Sequence, residues 1–157
     1  MHVVVRFELI TRTFSNNDQS NKAIIGLHGW KGDEFVFEHV ANIVKIDNAQ
    51  WYFPRAPYKS ESGSGFTWFQ DSDKRGWEYE KTISGLKDLL IKINSYGFSN
   101  KDIYLVGFSQ GACLALEFTL RLPYKIGGII PIAGFIKFKE RIKSEGTKES
   151  KGTPVLL

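Results

Sequence analysis

The sequence predicts an α/β protein: a mostly parallel sheet with helices on both faces. Three observations carry this reading. Strand-like and helix-like segments alternate along most of the 157 residues, the order that builds a parallel sheet through crossover helices. Residues 23–27, Ala-Ile-Ile-Gly-Leu, form an unbroken apolar run, which suits a strand buried on both faces. A glycine-flanked turn at 107–111 stands between a strand-like stretch and a helix-like one. With 42% apolar and 24% charged residues, the chain reads as one globular domain over 1–157, long enough to bury a full core.

The elements follow in order. Residues 3–12 alternate and are rich in Val, Phe and Ile, which predicts an edge strand. An all-polar turn, 15–21, leads into the buried strand 23–27. Phe35, Val36, Val40, Ile43 and Val44 recur at helical spacing across 34–45. Trp51, Tyr52 and Phe53 form a third strand, ended by Pro54. The stretch 58–73 is polar and glycine-containing, with a centre that reads as mobile, and a loop of this length is usually functional. Across 77–96, Trp77, Ile83, Leu86, Leu89, Leu90 and Ile93 share a helical face, with Gly97 as the stop. A strand at 103–106 precedes the turn, a helix runs to about 122 before Pro123, and 126–132 is the next strand. Residues 137–152 form a charged loop with a short helix, and 153–157 begins a further buried strand. There is no internal repeat.

Composition excludes several function classes. The net charge of +4 is mild, and the basic residues of 137–151 are interleaved with Glu140, Glu145 and Glu149. That pattern is a solvated loop rather than a nucleic-acid patch. A single cysteine, Cys113, rules out an internal disulfide and reads as a small buried hydrophobe. The first residues lack the basic and apolar regions of a signal peptide. No apolar run approaches the ~20 residues of a membrane span. A cytoplasmic protein is expected, with no cofactor, and no His/Asp/Glu cluster has metal-ligand spacing.

The chemistry concentrates at Gly107-Phe108-Ser109-Gln110-Gly111. A G-x-S-x-G run between strand and helix forces the serine into a strained turn and lifts its Oγ above the sheet. The helix start beneath offers N–H groups to a developing negative charge. Upstream, Leu27-His28-Gly29-Trp30 closes the buried strand, where a second donor would stand. The candidate oxyanion donors are the N–H groups of Trp30 and Gln110, and losing one such donor typically costs ~3 kcal/mol. A plain strand-to-helix turn without a catalytic part is the competing reading of 27–30. Phe66, Trp68 and Phe69 either line an acyl pocket or anchor their loop to the core.

A serine of this kind needs a base oriented by an acid. The only histidines are His2, His28 and His39, all upstream of Ser109. His28 is expected to shape its turn, His39 to sit on an exposed or half-buried helix face, and His2 to start the edge strand. Asp102 precedes the strand leading to the turn, at the opposite end of the sheet, while Asp71 and Asp73 read as solvated or capping.

These pieces together resemble the phospholipase/carboxylesterase family of the α/β-hydrolases, which includes small carboxylesterases and acyl-protein thioesterases. The matching pieces are Leu27-His28-Gly29 with Gly32-Asp33, Phe53-Pro54-Arg55-Ala56-Pro57, Trp68-Phe69, and Val106-Gly107-Phe108-Ser109-Gln110-Gly111-Ala112. The resemblance covers roughly 22–157 and implies an α/β-hydrolase fold and a serine carboxyl-ester hydrolase. It implies Ser109 as nucleophile and Trp30 and Gln110 as oxyanion donors. His28, Gly29, Trp68 and Phe69 would stand on the substrate side. The substrate is a small-molecule ester or thioester. Family members continue the 153–157 strand into segments carrying the catalytic Asp and His, so residues 1–157 read as C-terminally incomplete. The alternative is an inactive fragment or pseudoenzyme without acid and base. The strand 126–132, left near a sheet edge, makes a homodimer the other expected partner.

Overall fold

The computed structural model describes residues 7–15, 18–72 and 76–157. His2, Asp73 and most of the expected strand 3–12 lie outside the described residues. Strand β1 (Thr11–Ser15) comes first, followed by β2 (Lys22–Leu27), helix α1 (Val36–Val44) and β3 (Ala49–Pro54). Two small hairpins follow, β4 (Tyr58–Lys59) with β5 (Phe66–Thr67) and β6 (Gln70–Ser72) with β7 (Gly76–Glu78). Then come α2 (Glu80–Ser95), β8 (Ile103–Phe108), α3 (Gln110–Thr119), β9 (Gly128–Ile132) and α4 (Lys139–Glu145).

The central sheet has the order β1-β3-β2-β8-β9. Only β1 runs antiparallel, to β3, and the other pairings are parallel. Side chains alternate across β2. Ala23, Ile25 and Leu27 join the core beneath α2 and α3, with Leu86, Leu90, Leu114 and Phe118. Ile24 joins the opposite core with Phe37 and Ala41 of α1. This is the two-sided cover that an all-apolar strand requires. Residue 155 bridges Ile129 in parallel, so the chain after Gly152 begins to add a strand beside β9. Its apolar side chains Val155 and Leu156 are exposed, where a buried strand was expected.

Three expectations change. Residues 7–10 are not strand, and β1 pairs from Thr11 onward against Pro54. Trp77 lies outside α2, because Asp71 opposite it draws the residue into the β6–β7 hairpin. The stretch 58–72 is folded rather than loose. Gly63 and Gly65 take positive φ values of 78° and 69°, and a Cβ on Gly65 would strike the backbone of Lys31. Only glycine fits there.

Candidate active site

Ser109 stands at the carboxyl end of β8 with φ 52° and ψ −113°. A non-glycine residue at positive φ stores roughly 1–3 kcal/mol of strain. Two glycines make the turn passable. A Cβ on Gly107 would strike the Gly111 carbonyl, and one on Gly111 would strike the carbonyls of Leu27 and His28. The Ser109 N–H donates to the Ile132 carbonyl at 2.9 Å, and its carbonyl accepts the N–H groups of Ala112 and Cys113. Ser109 is exposed, and its hydroxyl has no hydrogen-bond partner among the described residues.

Beside it runs the turn 28–32. The Gly32 N–H donates to the Gly29 carbonyl at 3.0 Å. Lys31 donates to the Phe66 carbonyl at 2.9 Å, and the Phe66 N–H donates to the Gly32 carbonyl at 3.1 Å. The turn is thereby paired with β5. A Cβ built on Gly29 would lie 3.7 Å from the Ser109 Cβ, so the turn and the serine face each other across the width of one methyl group. The N–H groups of Trp30 and Gln110 have no acceptor among the described residues. Gln110 opens α3 and Trp30 sits in the turn, positions at which backbone N–H groups are left without an intrachain acceptor.

His28, placed above among the substrate-side residues, is instead 1% exposed. Its Nε2 accepts the Ala56 N–H at 3.0 Å, which puts the proton on Nδ1, and that N–H donates to the Gly29 carbonyl at 2.8 Å. Burial pushes its pKa below the ordinary histidine value. Both ring nitrogens are committed, so the ring shapes the turn. Trp68 is likewise an anchor rather than a pocket wall, at 0% exposure. Its indole N–H donates to the His28 carbonyl at 2.8 Å, its backbone N–H donates to Gln110 Oε1 at 2.9 Å, and its carbonyl accepts the Thr82 hydroxyl. Its side chain turns inward because the indole finds a buried acceptor there.

Phe69 lines a cleft of about 290 Å³ together with Trp30, Gln110, Thr67, Trp77 and Lys137. Trp30 is 58% exposed, with the Lys31 ammonium 4.4 Å from its ring centre. His39 is exposed on α1. Asp102 accepts the Ser99 hydroxyl at the far end of β8. Neither approaches Ser109.

Four supports of the site carry no role that the sequence shows. Glu34 is 4% exposed and receives Arg55 through both carboxylate oxygens. Arg55 also lies 4.6 Å over the Phe66 ring. This pair ties the segment after the turn to the exit of β3 and to β5. Thr67 and the Gln110 side chain are the others: Gln110 Nε2 donates to Thr67 Oγ1 at 2.8 Å. Arg55 and Gln110 belong to the quoted motifs, but nothing in a linear motif says what a side chain reaches.

A strained serine on a strand-to-helix elbow, set beside unpaired backbone donors on a doubly covered parallel sheet, defines an α/β-hydrolase. The sequence and fold of other proteins narrow this. A family model described as Phospholipase/Carboxylesterase matches residues 10–157. Acyl-protein thioesterase 1 of Kluyveromyces lactis is 31% identical over 92% of this chain and 70% of its own length. The Saccharomyces cerevisiae protein of the same name is 39% identical over 87% and 67%. A probable SOBER1-like carboxylesterase of Arabidopsis thaliana is 28% identical over 93% of this chain and 62% of its own length. Among solved structures, esterase PE8 superposes with a TM-score of 0.80 at 25% identity, covering 96% of this chain and 74% of that one. The chain belongs to the phospholipase/carboxylesterase family. It spans between about half and 70% of the length of the first curated relatives it matches.

Proposed function

We propose that this chain carries the nucleophile and oxyanion half of a carboxylesterase or thioesterase working through an acyl-enzyme. The observation that carries the proposal is the exposed, strained Ser109 facing a turn whose Trp30 N–H, like that of Gln110, has no acceptor among the described residues. In the reaction, Ser109 Oγ attacks the acyl carbonyl as its proton passes to a histidine. The carbonyl oxygen takes the negative charge and lies between the two N–H groups. Collapse expels the alcohol or thiol, which leaves with that proton, and water then repeats the cycle on the acyl-serine. His28 is not that base, since its nitrogens are both engaged. Among the described histidines, His39 is exposed on α1, and the base and its orienting acid are left unassigned; the relatives are longer than the span matched here.

The cleft along Phe69, Trp77 and Trp30 holds the acyl or leaving group of a small ester or thioester. A cytoplasmic site of action belongs to the same proposal, supported by the one buried free thiol, Cys113. So does pairing with a second copy, supported by the exposed Val40, Ile43 and Val44 of α1. Sedimentation at rising concentration reads that pairing, and a monomer at every concentration excludes it.

The test is hydrolysis of short p-nitrophenyl esters by the whole protein and by Ser109→Ala. Turnover that disappears in the variant supports the proposal. Turnover unchanged in the variant defeats it.

A further inference from the structure

We infer that the side-chain amide of Gln110 is the brace that fixes the spacing of the two oxyanion donors, an inference that rests on the acyl-enzyme reading above. Gln110 opens α3 and offers its backbone N–H as one donor. The other donor, Trp30, sits in a turn that is not part of α3. Its neighbours Lys31 and Gly32 are both bonded to Phe66. Phe66 is followed by Thr67 and Trp68, and those two residues take both ends of the Gln110 amide: Thr67 Oγ1 accepts from Nε2, and the Trp68 N–H donates to Oε1. The path from one donor to the other therefore runs through a single side chain, one turn of backbone and four hydrogen bonds.

The amide orientation is fixed by its partners. A backbone N–H can only donate, so Oε1 must face Trp68. Thr67 spends its own hydroxyl proton on the Phe69 carbonyl at 2.9 Å, so it must accept from Nε2. The other ties of this segment lead elsewhere: the Trp68 indole goes to the carbonyl of His28 and its carbonyl goes to Thr82 of α2. Among the described residues, only the Gln110 side chain joins segment 66–69 by hydrogen bonds to α3, the helix that carries the first donor. Gln110 is thus a positioning residue through its side chain, separately from its backbone N–H. The same residue supplies a donor and holds the loop that supplies the other.

Amide hydrogen exchange tests this without any need for turnover. In Gln110→Met, which keeps the length of the side chain and removes both polar ends, the amides of Lys31 and Phe66 should exchange at least about tenfold faster, while Leu105 in β8 keeps its protection. Thr67→Val, which removes the acceptor for Nε2 together with the hydroxyl's own bond to the Phe69 carbonyl and leaves the Trp68 N–H on Oε1, should give a smaller change at the same amides, and Thr67→Ser should restore them. Unchanged exchange at Lys31 and Phe66 in both Gln110→Met and Thr67→Val overturns the inference. If Gln110→Met loses protection throughout, Thr67→Val alone decides. In the whole enzyme, Gln110→Met should lower kcat roughly 10- to 100-fold with KM held within about twofold, because the donors act on charge that appears only in the transition state. A wild-type enzyme with no esterase turnover would sink the acyl-enzyme reading and leave the exchange result standing.

Discussion

Gly29 faces Ser109 across a gap that a methyl group would fill: a Cβ built on Gly29 lies 3.7 Å from the Ser109 Cβ and 3.4 Å from the nearest atoms of Phe108. Those are ordinary contact distances, and Gly29 is not among the residues with positive φ. Space for a side chain exists there, and under the proposed acyl-enzyme reading it is the space through which an acyl carbonyl would reach the serine. Gly29→Ala should therefore keep its stability within about 1 kcal/mol of wild type. Its kcat/KM on p-nitrophenyl esters should fall at least about tenfold, a loss of roughly 1.4 kcal/mol of transition-state binding. Paired urea melts and ester kinetics read both halves, and full activity in a stable variant would contradict the assignment of this gap.

The backbone of Ser109 carries strain that a glycine would not. Ser109→Gly should raise stability by about 1–2 kcal/mol, a gain of several degrees in Tm for a chain of this length. Ser109→Ala keeps the Cβ and should gain little. Both should be inactive. Scanning calorimetry of the two variants separates relief of strain from loss of the hydroxyl, and equal melting temperatures would argue against a strained elbow.

Bonding to Arg55 holds the Glu34 carboxyl below its ordinary value of 4.5, although burial opposes this. A carboxylate with a lowered folded pKa contributes stability that is complete above the unfolded value and is lost as pH falls through the folded one. Unfolding free energy measured by urea between pH 7 and pH 3 should therefore decline below about 4.5, and Glu34→Gln should flatten that decline. Arg55→Met leaves a buried charge unpaired and should cost about 3 kcal/mol at pH 7, or somewhat less because Arg55 itself is partly exposed.

His28 works in the same direction at a higher pH. Burial lowers its folded pKa below 6.5, so the unfolded chain takes up a proton that the folded chain refuses. This contribution to stability is complete above 6.5 and declines as pH drops toward the folded value. Nitrogen-15 shifts of the ring should report a neutral Nδ1–H form at pH 6.5, where a free histidine is half charged. His28→Ala should cost about 1–3 kcal/mol, since the Ala56 N–H loses its acceptor. A charged ring at pH 6.5 would overturn the assigned tautomer.

How far the site was legible depends on the range over which each feature is set. Gly107, Ser109 and Gly111 are readable because the crossing of β8 and α3 needs small residues a few positions apart, and that need is written locally. The order of strands and helices is readable for the same reason: buried strands are continuous apolar runs and helices repeat at 3–4 residues. Trp77 misled because its spacing also fits the face of α2, and pairing with Asp71 decides otherwise. The trough beneath the elbow was harder still. His28 finds Ala56 28 positions away, Trp68 finds His28 40 positions away, and the Gln110 amide finds Trp68 and Thr67 at 42 and 43.

The class of sheet, the place of the elbow and the two turns that hold Trp30 and Gln110 are written in the residue order, because periodicity and glycine placement act within a few residues. That His28 and Trp68 turn inward as supports, that Phe69 and Trp77 share the cleft, and that the Gln110 amide reaches Thr67 and Trp68 emerges from the folded chain. A side chain in a turn has several directions open to it. Which one it takes depends on which distant donor or acceptor the folded backbone brings within 3 Å, the ordinary reach of a hydrogen bond.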